Sequence, residues 1–455
     1  MPVPEIVHRL VDRFEEDRKT YRSSTYKEEW IRQDFIDPLF EALGWDVTNK
    51  SGVPVGPHRE VIPEDAIRVR GAPKAPDYGF YVGGARKFFV EAKKPSVNLA
   101  GDISPAFQLR RYAWSAKLPL SVLTDFEEMA LYDCRFEPKK EDGPRTARLN
   151  FLTYEQYPER WEEIASIFSK EAVLSGSLEK YAEETKRKRG TETVDSAFLK
   201  EIEGWRSSLA RELAAHNDLN RRQLNYAVQM IIDRIVFLRM AEDRGIEEYG
   251  RLLGIIEGYG VYGRLLTLFK QADNRYNSGL FHFRPERDRK EDPDTLTPTL
   301  AIGDWLLRGI IQDLYYPESP YEFSVLPVDV LGQVYEQFLG KVIRLEDSHK
   351  AVVEEKPEVR KAGGVYYTPT YIVDYIVEHT VGTLLEGKRP GPKGGASRLK
   401  IVDPACGSGA FLIGAFQYLL DWYRDRYVED GPDKWPNQLY QGPGGESRLT
   451  IDEKK

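Results

Sequence analysis

The sequence predicts a multidomain protein, α/β at both ends and all-α between them, and three observations carry that prediction. Two β-rich runs, Pro76–Val82 and Lys87–Pro95, meet at Gly83-Gly84 and read as a hairpin within an N-terminal α/β core. Apolar stripes at Ile202, Trp205, Leu209, Leu213 and at Leu224, Ala227, Val228, Ile231, Ile235, Leu238 keep helical spacing over stretches too long for strands. Near the far end, Ile401-Val402 runs into a glycine-rich turn and then a helix, the strand–turn–helix pattern of an α/β ligand site. At 455 residues the chain exceeds one core, and about 150 residues per domain suggests about three. Breaks in composition divide it into 1–165, 166–345 and 346–455.

Composition narrows the class. Hydrophobic residues make up 41% and charged residues 30%, which suits a soluble globular protein, and no apolar run is long enough to span a bilayer. The start, Met1-Pro-Val-Pro-Glu, has neither the basic segment nor the apolar core of a secretion signal. With only Cys134 and Cys406, a disulfide framework or Cys/His metal cluster is excluded, and a reducing cytoplasm is the expected compartment. A net charge of −8 argues against wholesale coating by nucleic acid, though not against a local basic groove.

In the first segment a helix is predicted from Pro4 to about Lys19, with Ile6, Leu10, Val11 and Phe14 on one side. A second, from about Lys27 to Leu43, carries Ile31, Phe35, Ile36, Leu39, Phe40 and Leu43, and Gly44 stops it. Pro38 inside it predicts a kink or a break. Val53 to Pro63 is turn-rich, without periodicity. Along the second strand Glu91 and Lys93 point to one face, and hairpin pairing around Gly83-Gly84 brings Asp77 beside Glu91. Two carboxylates bind hard Mg²⁺ through oxygen, and the lysine can orient or deprotonate a water, which is the chemistry of phosphodiester hydrolysis. Phe88-Phe89-Val90 just upstream makes a buried strand, a poor place for charge unless a site needs it. In Ala106-Phe-Gln108-Leu-Arg-Arg-Tyr112, Gln108 and Tyr112 lie four apart on one helix face beside two arginines. Leu118–Asp125 and Met129–Asp133 supply two more core strands.

Pro76-Asp77, thirteen intervening residues, then Glu91-Ala-Lys93 resembles the PD-(D/E)xK nuclease superfamily. That resemblance implies Asp77 and Glu91 as metal ligands and Lys93 as the catalytic lysine. Gln108-x-x-x-Tyr112 resembles the accessory motif of the nucleases in type I and type IIG restriction enzymes, which implies contact with DNA near the cut and help in ordering the lysine. Glu28-Glu-Trp-Ile-Arg32 resembles their first helix, with Glu28 ahead of Glu29 as the accessory carboxylate.

Between the ends, Leu174–Ser177 and Glu183–Gly190 mark a boundary rich in Ser, Gly and charge. Lys186 to Arg189 suits either a sequence-blind phosphate contact or a solvated hinge. The helical stripes that follow read as core packing. Asp233–Ile246 and Val328–Gly340 resemble the helical connector of type IIG enzymes, which implies a rigid spacer between catalytic domains.

In the last segment Thr368 suits a helix N-cap and Pro369 a first turn, with a stripe at Ile372, Ile376 and Thr380. Ile401-Val402 suits a buried parallel strand, Gly407 and Gly409 let backbone approach a ligand, and the helix from about Ala410 to Tyr423 aims free N–H groups at the turn. The string Asp403-Pro-Ala-Cys-Gly-Ser-Gly-Ala-Phe-Leu412 reads as an S-adenosylmethionine pocket, and Cys406, between small residues, as tight packing. Tyr367-Thr-Pro369 ahead of it resembles adenine-N6 DNA methyltransferases, whose domain is Rossmann-like. The resemblance implies Tyr367, Thr368 and Pro369 at the methionine end of the cofactor, and Asp403, Ala405, Gly407 and Gly409 around its amino and carboxylate groups.

No Asn/Asp-Pro-Pro-aromatic loop, the base-holding part of that family, occurs in the 455 residues, and no second strand ends in a ribose-holding acid. The expectation is therefore the N-terminal portion of a type IIG-like restriction–modification protein with an incomplete methyltransferase domain. Its substrate would be double-stranded DNA, its cofactors Mg²⁺ and S-adenosylmethionine, the latter also licensing cleavage. A second chain or the remainder of a longer polypeptide would supply the missing sheet and target recognition. The competing readings are a methyltransferase or defence subunit with an inactive nuclease and a non-catalytic, truncated DNA-binding subunit.

Overall fold

Six strands form one sheet in chain order: β1 Val61–Pro63, β2 Tyr78–Val82, β3 Ala85–Ala92, β4 Leu120–Thr124, β5 Glu128–Asp133 and β6 Arg148–Thr153. The computed structural model describes residues 2–53, 59–63, 76–184, 192–276, 278–285, 292–327, 330, 332, 340–346, 351–356, 368–390, 395–441 and 447–454. They fall into two compact units, Met1–Gly52 with Pro57–Pro327 and Val342–Glu354, and Val53–Gly56 with Val328–Lys341 and Glu355–Lys455.

The β2–β3 hairpin forms where the sequence predicts it. Gly83 and Gly84 take φ of 56° and 79°, so both central residues of the two-residue turn are left-handed, the type I′ geometry that matches strand twist. Every pairing is antiparallel except β3 with β4, where Val90 faces Val122 and Ala92 faces Thr124. A parallel pair needs a crossover, and helix α4, Ile103–Ser115, supplies it. Two strands lie outside the sequence expectation. Three-residue β1 is too short to show alternation, and it exists because Val61 pairs with Phe80 across the sheet. Half-buried β6 closes the other edge.

Alternation along β3 divides two cores. Phe88 and Val90 join Phe80, Phe40, Trp45 and Phe168 on one face, where the Phe80 and Phe88 rings stack 4.3 Å apart. Phe89 faces the other way, with Leu109, Tyr112 and Ala113 of α4. Glu91 and Lys93 share the parity of Phe89 and project on the α4 side.

The first core is closed by helix α1, Glu5–Tyr21, and by a segment expected as one kinked helix. That segment is α2, Glu28–Ile31, a π-turn at Arg32–Ile36, and α3, Asp37–Ala42. The break expected at Pro38 takes this form because proline has no N–H for the α-ladder, and the wider turn keeps the chain helical. Ile31, Phe35, Ile36, Leu39, Phe40 and Leu43 are all buried, and Gly44 follows at φ 90°.

Two long helices then carry the predicted stripes, Val194–His216 and Arg221–Asp243, and all ten stripe residues are buried. Thr193 and Asn220 cap them, the latter in a capping box with Gln223. Their interior also holds ion pairs, Arg234–Asp294 at 2.8 Å and Arg239–Asp243 at 2.7 Å, which lock the packing. Lys186 to Arg189 and most of Val328–Gly340 lie outside the described residues.

In the second unit helix Thr370–Val377 packs against helix Ala410–Asp430. Pro369, not Thr368, is the N-cap, and no side chain caps the helix. The buried stripe is Val373, Val377 and Val381, one residue on from the predicted Ile372, Ile376 and Thr380, which are exposed. Gly414 decides this register: a Cβ there would stand 2.7 Å from Val373 Cγ1, so the helices approach closely enough for valine to fill the seam. Residues 401–403 form no strand, and Val402 is 86% exposed, because a parallel strand needs a partner and none is paired to it among the described residues. Cys406 is exposed as well, which overturns the expectation of tight packing: the turn points it outward.

Candidate active site

Asp77, Glu91 and Lys93 line one cleft of about 810 Å³ together with Glu28, Arg32 and Gln108. Asp77 immediately precedes β2, Glu91 lies near the end of β3, and Lys93 follows it. The Tyr78–Val90 pairing sets Asp77 beside Glu91. Lys93 is anchored by its own N–H, which donates to the Thr124 carbonyl at 2.9 Å. Its ammonium donates to Glu91 Oε1 at 2.5 Å. Glu91 is 2% exposed, and its second oxygen, Oε2, is buried with no hydrogen-bond partner. A buried carboxyl oxygen without a partner is costly, so this atom suits either a proton or a cation.

Asp77 is oriented from two sides. Its Oδ2 accepts the Ala92 N–H at 2.7 Å, and its Oδ1 faces Arg32 Nη1 at 3.4 Å. Arg32 in turn lies over the Tyr78 ring, 4.8 Å from its centroid, and Tyr78 donates to Asp37 at 2.6 Å. Burial, followed by the neighbouring Asp77 charge, pushes the Glu91 carboxyl well above the usual range despite Lys93. Burial raises Glu28 too, with Asp77 adding to it and Lys93 opposing it. Burial alone would lower the Lys93 ammonium, but attraction to Glu91, with Asp77 and Glu28 adding to it, outweighs burial and the net shift is upward.

Glu28 stands half-buried in the first turn of α2, whereas Glu29 is exposed, so Glu28 is the carboxylate that reaches into the field of Lys93 and Asp77. Gln108 is half-buried at the cleft wall, four residues before Tyr112, which is buried behind it. The two arginines between them are structural. Arg110 pairs with Asp142 at 2.7 Å, and Arg111 donates to the Tyr321 carbonyl at 2.7 Å. Sequence reasoning passed over Arg32, Tyr78 and Asp37. For Arg32 a signal existed, since it follows Glu28 by four residues and shares its face.

These residues can hold a hard divalent cation. Among the described residues no group of three or more His, Cys, Asp or Glu is placed around one metal position. The donor set is two carboxylates, which suits Mg²⁺, an ion that keeps waters and takes substrate phosphate as further ligands.

In the second unit Asp403 Oδ1 accepts the Ala405 N–H at 3.0 Å, and Gly409 N–H donates to the Cys406 carbonyl at 2.7 Å. Gly407 and Gly409 take φ of 54° and 83°, a left-handed backbone that a side chain resists, and Gly409 is the N-cap of the helix beginning at Ala410. The turn thus delivers the helix N–H groups to an open surface. Thr368 and Pro369 lead into the helix packed against it, and Tyr367 lies outside the described residues.

Residues 25–140 match the family model described as the type I restriction enzyme R protein N terminus, and residues 327–429 match that described as N-6 DNA methylase. Over 431 residues the chain is 38% identical to the type II restriction enzyme and methyltransferase RM.Eco57I of Escherichia coli, which is 94% of this chain and 42% of that protein. It is 28% identical over 171 residues to the adenine-specific methyltransferase BrxX of Escherichia coli O9:H4 (strain HS), covering 30% of this chain and 12% of that one. The solved structure of the type IIG restriction endonuclease BpuSI aligns with 87% of this chain and 38% of its own, at 14% identity and a TM-score of 0.24. The chain spans less than half the length of each of these relatives.

Proposed function

We propose, from the similarity to type II restriction enzymes and methyltransferases, that this chain carries a Mg²⁺-dependent site for endonucleolytic cleavage of duplex DNA. In this reading residues 1–165 form a PD-(D/E)xK nuclease core, 166–345 a helical connector, and 346–455 part of a Rossmann-like, adenine-N6 methyltransferase domain. The observation that carries it is the cluster itself: Lys93 is bonded to Glu91 at 2.5 Å while Glu91 Oε2 is buried without a donor beside Asp77.

Asp77 and Glu91 would hold the cation, which supplies Lewis-acid stabilisation of charge on the scissile phosphate. Lys93 sits beside Glu91 as a fixed cationic donor, placed to orient the attacking water and meet developing negative charge. Gln108, backed by Tyr112, offers an amide at the cleft wall for a phosphate or base edge. Glu28 adds a third carboxylate at the rim, positioned to order water. For the second unit we assign S-adenosylmethionine to the turn at Asp403, Ala405, Gly407 and Gly409, with Tyr367, Thr368 and Pro369 at its methionine end. The helix N-terminus and left-handed glycines there support that assignment.

Plasmid nicking in Mg²⁺ tests the nuclease. Lys93→Ala and Asp77→Asn should each lower the rate by about a hundred- to a thousandfold, the usual loss of a charge-stabilising group. Equal cutting by Lys93→Ala and native protein would dismiss the assignment.

A further inference from the structure

We propose that Arg32 is the resident counter-ion of Asp77 and that a divalent cation takes its place, so that the Arg32–Asp77 ion pair and metal occupancy at Asp77 exclude one another. The inference rests on the reading of Asp77 as a metal ligand. It comes from the different ways in which the two cleft cations are held. Lys93 grips Glu91 at 2.5 Å, whereas Arg32 reaches Asp77 Oδ1 only at 3.4 Å and the Asp77 carbonyl at 3.5 Å, both at the outer limit of a bond. Arg32 is secured elsewhere: its guanidinium lies over the Tyr78 ring at 4.8 Å and its Nε donates to the Tyr78 hydroxyl at 3.3 Å.

Asp77 Oδ2 is already committed to the Ala92 N–H, so Oδ1 is the oxygen over which two cations would compete. A divalent ion and a guanidinium on one carboxylate oxygen repel each other strongly in a cleft where Arg32 and Asp77 are only 16% and 15% exposed. Arg32 can yield without losing its seat on Tyr78, and it lines the same cleft, where a DNA phosphate is the natural second partner for a planar guanidinium. The π-turn that starts at Arg32 breaks the regular helix at this residue, as such turns often do at functional positions. Arg32 adds a positive charge beside the largely buried Asp77 carboxylate, the position that the divalent cation would take.

The test is Mn²⁺ binding to the DNA-free chain, with free Mn²⁺ measured by electron paramagnetic resonance. Removing the competitor in Arg32→Gln or Arg32→Met should tighten Mn²⁺ binding about fivefold or more, the scale of a coupling between two exclusive ligands. Unchanged or weaker binding by either folded variant overturns the proposal. In the wild-type chain Mn²⁺ should raise the labelling of Arg32 by phenylglyoxal, mapped by mass spectrometry, and unchanged labelling overturns it without any variant. Asp77→Asn separates the two levels. If it binds Mn²⁺ as wild type does, the metal-site reading itself falls. If it loses binding while Arg32→Gln binds as wild type, only the counter-ion role falls.

Discussion

Glu91 and Arg110 are buried charged residues of the same first unit, and they illustrate two reasons for burying charge. Glu91 has one oxygen satisfied by Lys93 and one left without a donor, the arrangement that the proposed metal site would use. Arg110 answers to Asp142 at 2.7 Å and serves the fold. Asp142→Ala would strand the guanidinium, whose side chain is 2% exposed, and should cost about 3 kcal/mol, read from urea denaturation. Gln108→Ala should lower plasmid cleavage about tenfold, the value of one hydrogen bond to a charged group, and cost much less stability than Asp142→Ala in the same denaturation. In each case the effect follows from the partner left behind.

At the scale of elements, close approach and capping decide what a side chain may do. Gly414→Ala places a methyl 2.7 Å from Val373 Cγ1, a short branched side chain that cannot swing away, and should destabilise the second unit by about 1–3 kcal/mol in thermal melts. Gly382→Ala meets the Tyr418 hydroxyl, the far end of a longer side chain, and should cost less. In the helical segment Asp304 accepts the N–H groups of Val261 and Gly260, both at 2.8 Å, and so caps the neighbouring helix Val261–Tyr276. Those bonds, that from Val261 first, hold its carboxyl below the ordinary 3.8. A depressed carboxylate stabilises the fold above its unfolded value and loses that stabilisation as pH falls through the folded one. The melting temperatures of wild type and Asp304→Asn should therefore differ at neutral pH and converge only as the pH falls from the ordinary 3.8 through the lower folded value.

For the whole molecule, a net charge of −8 coexists with a cleft lined by Arg32, Arg59 and Lys93 among five carboxylates. DNA binding through that cleft should weaken steeply with salt, with a slope of about −0.9 for each phosphate neutralised. Fluorescence anisotropy with labelled duplex in Ca²⁺ measures it. Chelation should abolish cleavage and added Mg²⁺ restore it, since two carboxylates without a cation repel the phosphate they must attract. No helix among the described residues is long and apolar enough to cross a membrane.

The sequence by itself determined what is local. The hairpin at Gly83-Gly84, the approach of Asp77 to Glu91, the shared side of Glu91 and Lys93, and the long stripes from Ile202 to Leu238 all follow from short-range geometry with periods of 2 or 3.6 residues. Tertiary structure alone decided where several distant elements had to agree. It turned Arg110 and Arg111 into core ion pairs, and brought Arg32 onto Asp77 across 45 residues of chain. It shifted the buried stripe from Ile372 to Val373, since only the opposing Gly414 shows which apolar residue fits the seam. It left Ile401-Val402 exposed although β-branched, because a strand is made by its neighbours: apolar residues state a preference, and pairing partners settle it.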